Sequence, residues 1–345
     1  MTQHNTLIKA VSAAGYDAAR HRAATIDRSN MGRIVVSGAD RASYLQGLLT
    51  NDIVALTAGH GCYAAYLTAQ GRMIADLHVY ELGDVLLLRM AADVKDTVLA
   101  KLDQFIFSED VQLGDVTDSF GQIAVVGPDS AQVVASVAGI ALESLESLPD
   151  HGNLRSSWRG APTIVTRVTD TGEPGYDLFV ERAQADALNS ELTSAGAFAL
   201  DELTADVLRI EAGVPLFHRD MDEDTLPLEA AIESRAISFT KGCYVGQEVV
   251  IRVLHRGHGR VARKLVGLTV SGDKVPQPGA AIASGDREIG NVTSSAMSPA
   301  LNTPIALGYV HRDFLEAGTA VTIDGAGAVV TRLPFVQSTR AGIET

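Results

Sequence analysis

Cysteine is almost absent from this chain: Cys62 and Cys243 are the only two among 345 residues. Two thiols cannot make a disulfide framework, so the expectation is a reduced, cytoplasmic protein. Positive charge is also scarce, with 28 Lys and Arg against 42 Asp and Glu and a net charge of −14. That balance argues against broad electrostatic binding to nucleic acid or to an anionic membrane and leaves room only for a local basic patch. No apolar run approaches a membrane span, and the N-terminal segment has no signal-like apolar core. Phosphate loops, GxSxG elbows and dinucleotide fingerprints are missing, which removes nucleoside triphosphatases and Rossmann dehydrogenases. His255 and His258 stand three apart with no second Cys or His pair at ligand spacing, so no metal site is expected.

What is present is ordinary globular material, 46% hydrophobic and 20% charged, enough for two or three domains. Strand-like and helix-like stretches alternate through the first two thirds: strands at 34–36, 84–90, 122–126 and 176–180, helices over 40–49, 92–105, from Pro128, over 183–194 and over 201–211. Beyond about residue 263 short β-rich runs sit between Gly, Pro, Asp and Ser turns, the texture of a small barrel or sandwich. The fold class is α+β. The expected division is 1–260, then a β domain over 261–336, then a tail over 337–345.

Four segments carry candidate chemistry. In 241–248 (KGCYVGQE), Cys243 lies between Gly242 and Gly246 and two residues after Lys241. The pattern fits a thiol activated by a neighbouring cation, or a glycine-flanked turn without chemistry. Residues 252–264 hold five Lys or Arg, which fits either an anionic ligand tail or a solvated linker offsetting the acidic loop 219–224. Residues 66–80 read as a β-hairpin turning at Gln70-Gly71. Asp76 lies among apolar residues there, either hydrogen-bonded structurally or turned toward a pocket. In the turn and strand 172–177, Glu173 reads as exposed, and Asp177 either bonds the N–H groups of a heterocycle or is a solvated strand-edge carboxylate, the commoner case. Cys62 reads as a small buried hydrophobe.

These residues carry a resemblance spread over roughly 32–308 to the YgfZ/GcvT superfamily, which joins the glycine-cleavage T-protein (aminomethyltransferase) to folate-binding relatives that support iron–sulfur protein maturation. The landmarks are 44–52 (YLQGLLTND), the hairpin at 70–80, 171–177 (TGEPGYD), 208–213 (LRIEAG) and 307–310 (LGYV). The block 241–248 resembles the KGCYxGQE motif of the YgfZ branch. The resemblance implies a GcvT-like ring of two α+β lobes and a C-terminal antiparallel β-barrel, with tetrahydrofolate or a derivative in the central opening. It also implies a main reading: a folate-binding protein assisting iron–sulfur cluster assembly or repair, with client or assembly proteins as partners. In that reading Cys243 is the reactive thiol and Lys241 the cation that lowers its pKa. Asp177, Gly242, Tyr244, Gly246, Gln247, Glu248 and Arg252 shape or line the folate site.

The rival reading is a folate-dependent aminomethyl- or methyltransferase in which Asp76 acts electrostatically or as a base. Against it stand three departures from the T-protein pattern. Ala75-Asp76 matches an Asp-Asp pair, Asp170 falls where T-proteins carry a tyrosine, and Ala205 falls where they carry an arginine. A third reading, an RNA-binding module working through the basic stretch, is disfavoured by the net charge.

Overall fold

In the computed structural model, residues 11–255 and 260–338 are described. The first lobe is one antiparallel sheet in the spatial order Gly61–Leu67, Met73–Glu81, Leu86–Met90, Gly32–Ser37, Gln112–Asp115. Helix Ala92–Asp103 buries Val94, Val98 and Leu102 at helical spacing. The helix expected over 40–49 is shorter and spans Arg41–Gln46. Beyond it, the Lys241 ammonium collects the carbonyls of Gln46, Leu49 and Asn51 at 2.7, 2.7 and 2.8 Å, so these acceptors serve a cation in place of a continuing helical ladder.

The second lobe is a six-stranded sheet in the order Phe198–Ala199, Ala24–Asp27, Phe120–Val126, Gly175–Glu181, Ala161–Val168, Asn153–Trp158. Helices Ser130–Ala138 and Ala185–Ser194 contribute to its core. The helix expected from Pro128 begins two residues later, because Gly127, at φ 113°, turns the chain and accepts from Ser130 N–H at 3.0 Å. Helix Glu202–Ala212 is capped at both ends: Asp201 accepts from Thr204 N–H at 2.8 Å, and Gly213 takes φ 73°. The chain then returns to the first lobe, where Phe217, Met221, Ile232, Tyr244 and Val250 join the core. The lobes are therefore interleaved, since the strand Ala24–Asp27 lies in the second sheet although it precedes the first in sequence.

From Arg263 onward six strands close an antiparallel barrel with its own core around Leu268, Ile282, Val292 and Val310. The α+β architecture with two sheet-bearing lobes and a C-terminal barrel is thus as expected. Part of the basic stretch (256–259) and most of the expected tail (339–345) lie outside the described residues. Among the described residues no helix is long and apolar enough to cross a membrane.

Glu173, expected to be exposed, is fully buried. It receives Arg20 Nη1 at 2.9 Å, and the same guanidinium binds Glu211 through Nη2. Tyr16 Oη and Ser298 Oγ donate to Glu211 at 2.7 and 2.5 Å. One buried network therefore joins the N-terminal helix Ala13–His21, the second lobe, helix Glu202–Ala212 and the barrel strand Arg287–Ser298. Removing one member leaves a buried charge short of its partner. We expect Glu211→Leu to lower stability by about 3–5 kcal/mol, read from the urea midpoint, whereas the exposed pair Arg155–Asp84 loses at most about 1 kcal/mol on Asp84→Ala.

Candidate active site

Side chains alternate across a strand, so Asp76 and His78 in Met73–Glu81 share one face and Ala75 and Leu77 point to the other. Cross-strand register extends that face: Tyr63 pairs with His78, and His78 with Arg89. The second lobe brings Arg28, His151 and Asp170 opposite them. Together with residues of helix Glu202–Ala212 and of 214–219 and 235, they line a cavity of about 310 Å³ between the lobes, within the usual range for small-molecule sites.

Asp76 is half-buried at the wall, and Tyr63 Oη donates to its Oδ2 at 2.8 Å. Burial raises its carboxyl pKa despite the Tyr63 bond and the opposing pull of Arg89 and Arg235. Asp170 shows the opposite outcome. Burial alone would raise it, but Arg28, donating at 2.8 Å, and Arg89 hold it below the ordinary carboxylate range. His78 and His151, Nδ1 to Nδ1 3.3 Å, both have lowered pKa values, first by burial; Arg89 and Arg235 reinforce this at both rings, while Asp150 opposes it at His151. Arg235 stands over the Tyr63 ring, 5.5 Å from its centroid. Carboxylates pushed apart in pKa beside neutral imidazoles form an acid–base site.

Asp177 is one layer behind the cavity. Fully buried, it accepts from Arg28 Nη1 at 3.1 Å and Gln122 Nε2 at 2.8 Å, so its carboxylate is spent orienting Arg28 and is not offered to a heterocycle.

The structure does not bring the block 241–248 to the cavity. Cys243 is exposed outside it, and Arg252 is exposed on helix Gln247–His255. Lys241 faces inward to its three carbonyls, with burial lowering its pKa to about 8 against the pull of Asp52. Its charge is therefore engaged elsewhere than at Cys243, which corrects the activating role expected of it. Cys62 is buried, its thiol pushed up to about 12. Tyr244 packs in the first lobe's core beneath the Lys241 ammonium, Gln247 opens the helix, and Glu248 sits exposed in its first turn. Arg263 and Lys264 pair with Glu229 and Glu233 at 3.4 and 2.7 Å, so these two cations of the basic stretch are already engaged.

The two glycines of the block differ. Gly246, at φ 86°, presses on the hairpin, where an added Cβ would meet Thr68 O at 2.5 Å, whereas Gly242 faces open space. We expect Gly246→Ala to cost about 1–3 kcal/mol in a denaturant titration and Gly242→Ala to stay within about 0.5 kcal/mol.

Sequence reasoning found Asp76 and missed His78, Arg89, Arg28, His151 and Arg235. Two of these were within reach: His78 is two residues from Asp76 on the same strand face, and Arg89 interrupts the apolar run 84–90 where a buried charge needs a reason. The other three come from distant segments. The histidine pair also sets a pH dependence. Because both folded pKa values lie below the ordinary 6.5, the unfolded chain takes up protons below that pH while the folded chain does not, so stability falls on acidification. Asp76, whose folded pKa is raised, contributes in the opposite sense. Melts between pH 7.5 and 5 should lose stability by up to about 1.4 kcal/mol per pH unit for each histidine, and His78→Phe should flatten that slope.

Comparison with known proteins fits this geometry. Residues 3–241 match the GCVT N-terminal domain, and residues 263–337 match the glycine cleavage T-protein C-terminal barrel domain. An aminomethyltransferase of Streptomyces avermitilis is 34% identical over 329 residues, covering 92% of this chain and 87% of that one. One from Rubrobacter xylanophilus is 33% identical, covering 95% and 87%. The crystal structure of glycine cleavage system aminomethyltransferase T from Bartonella henselae superposes with a TM-score of 0.85 at 26% identity, over 94% of this chain and 89% of that one. These relatives overturn the expectation of an iron–sulfur assembly factor built on Cys243, and the position of Lys241 removes that reading's physical support. The chain belongs to the glycine-cleavage T-protein family.

Proposed function

We propose that this protein is a folate-dependent aminomethyltransferase, with Asp76 as its acid–base or electrostatic residue and tetrahydrofolate, the one-carbon acceptor of the family's aminomethyltransferases, as its substrate. The observation that carries this reading is Asp76 itself: a carboxyl made more basic by burial, held by one tyrosine and facing the cavity between the lobes.

The three departures that argued against transfer weigh less in three dimensions. Ala75 is fully buried on the far side of the strand, so the missing member of the Asp-Asp pair removes no carboxylate from the cavity face. Asp170, at the tyrosine position, lines the cavity and carries Arg28 with it. Ala205 lines it too, and Arg209, one helical turn on, stiffens the same wall with its guanidinium bonded to Asp206, Asp220 and Ser294. We assign Arg28 and Asp170 to holding the substrate and Asp177 to positioning Arg28. The site lies within the 1–260 region, with the barrel of 261–336 as its support. The likeness of 241–248 to the YgfZ branch marks a lineage within the family, and its residues fasten a loop onto the hairpin that leads into the Asp76 strand.

The test runs the reaction in reverse, with reduced lipoyl carrier protein, ammonia and methylenetetrahydrofolate. Wild-type protein should consume the methylene compound, and Asp76→Asn should slow turnover by about 10²–10⁴-fold while tetrahydrofolate binding, followed by fluorescence, changes little. Absence of wild-type turnover would remove the reading.

A further inference from the structure

Two imidazoles in Nδ1-to-Nδ1 contact must share one proton: one ring donates and the other accepts. His151 decides which. Its Nε2 lies 3.4 Å from Asp150 Oδ2, an ion-pair contact without hydrogen-bond alignment, and the carboxylate's charge favours a proton on that nitrogen. His151 Nδ1 is then the bare acceptor, His78 Nδ1 carries the shared proton, and His78 Nε2 is left as a lone pair. His78 lines the cavity, and its Nε2 has no hydrogen-bond partner among the described residues. Asp150 is about half exposed, and its other oxygen is oriented by Thr169 Oγ1 at 3.3 Å. A line of acceptors and donors thus runs from the cavity to solvent across the lobe boundary.

The backbone supports the same placement. His151 takes φ 57°, a left-handed conformation that histidine, like asparagine, adopts more readily than most non-glycine residues. That conformation accompanies a ring placed against a histidine 73 residues away.

We propose that His78 and His151 form a two-imidazole proton relay between the cavity and Asp150, serving the transfer proposed above, on which this inference rests. A proton taken up at His78 Nε2 sends the shared proton from His78 Nδ1 to His151 Nδ1, and His151 Nε2 releases its own through Asp150. No net charge is created, and a proton passing inward by the reverse steps restores the first arrangement. Bridging one carbon across two folate amines frees two N–H protons, and the leaving sulfur and the ammonia each take one up, so proton traffic in both directions is part of the reaction. Burial, Arg89 and Arg235 lower the pKa of both rings, with Arg28 adding to this at His78, against the pull of Asp150 and Asp170 on His151; Tyr63 and Tyr80 complete the titratable surroundings.

The test uses His151→Asn, since asparagine tolerates the left-handed backbone, and Asp150→Asn. In the reverse assay we expect His151→Asn to lower kcat by about 100-fold, with KM for methylenetetrahydrofolate nearly unchanged, a larger solvent isotope effect and partial rescue by added imidazole. Asp150→Asn should show a smaller loss of the same kind. Unchanged kcat, or a loss confined to KM, overturns the relay. A second readout does not depend on turnover. Nitrogen-15 spectra of the resting protein should show His78 protonated at Nδ1 and bare at Nε2; the opposite tautomer overturns the relay even if His151→Asn is inactive or unfolds. Wild-type protein that makes no turnover yet shows the expected tautomer loses the aminomethyl reading and the relay's catalytic role, and keeps the shared proton.

Discussion

Charge that is buried has to be paired, and this requirement organises both the fold and the cavity. Two arginines near the start of the described chain each meet it with two carboxylates. Arg20 is buried between Glu173 and Glu211, and Arg28 between Asp170 and Asp177. Each ties the N-terminal segment to the second lobe, and the Arg20 network continues through Glu211 and Ser298 into the barrel. These pairs specify an arrangement more than they supply net stability, because desolvation cancels much of the Coulomb gain. What they exclude is any packing of the lobes that strands one partner.

The same accounting creates the chemistry. Where a carboxylate meets a guanidinium at close range, as Asp170 meets Arg28, it stays ionised. Asp76 meets only a phenol at close range and keeps its proton more tightly. The imidazoles take the complementary course, since burial and nearby arginines disfavour a second proton on either ring. One cavity of about 310 Å³ thereby holds a basic carboxyl, an ionised carboxylate and two neutral histidines without a metal being needed to separate their roles.

Much of this was legible in the sequence where the signal is local. The hairpin turning at Gln70-Gly71, the helix over 201–211 and the change of texture near residue 263 follow from turn chemistry and periodicity, and the structure reproduces them. The misreadings concern partners distant in sequence. Glu173 looks like a turn residue until Arg20, 153 positions earlier, is seen beside it. The interleaving of the lobes was invisible because a four-residue strand such as Ala24–Asp27 carries no mark of the sheet it joins. At position 75 a linear pattern cannot say that the side chain faces away from the cavity.

The block 241–248 shows how a composition suited to chemistry can be used for packing. A lysine two residues from a cysteine lowers its pKa only if the ammonium points at the sulfur and lacks better acceptors. Here three carbonyls at 2.7–2.8 Å take the cation, and the acceptor set is supplied by the turn that ends helix Arg41–Gln46. The loop in turn depends on Gly246 lying flat against the hairpin, with Gly71 similarly pressed beneath Val249. Asn51, whose carbonyl Lys241 holds, donates to the backbone of Tyr63 and Arg235, both at the cavity. The motif therefore reaches the site through one intermediate residue, by fixing the strand and turn that present Tyr63, and through Tyr63 the carboxyl of Asp76.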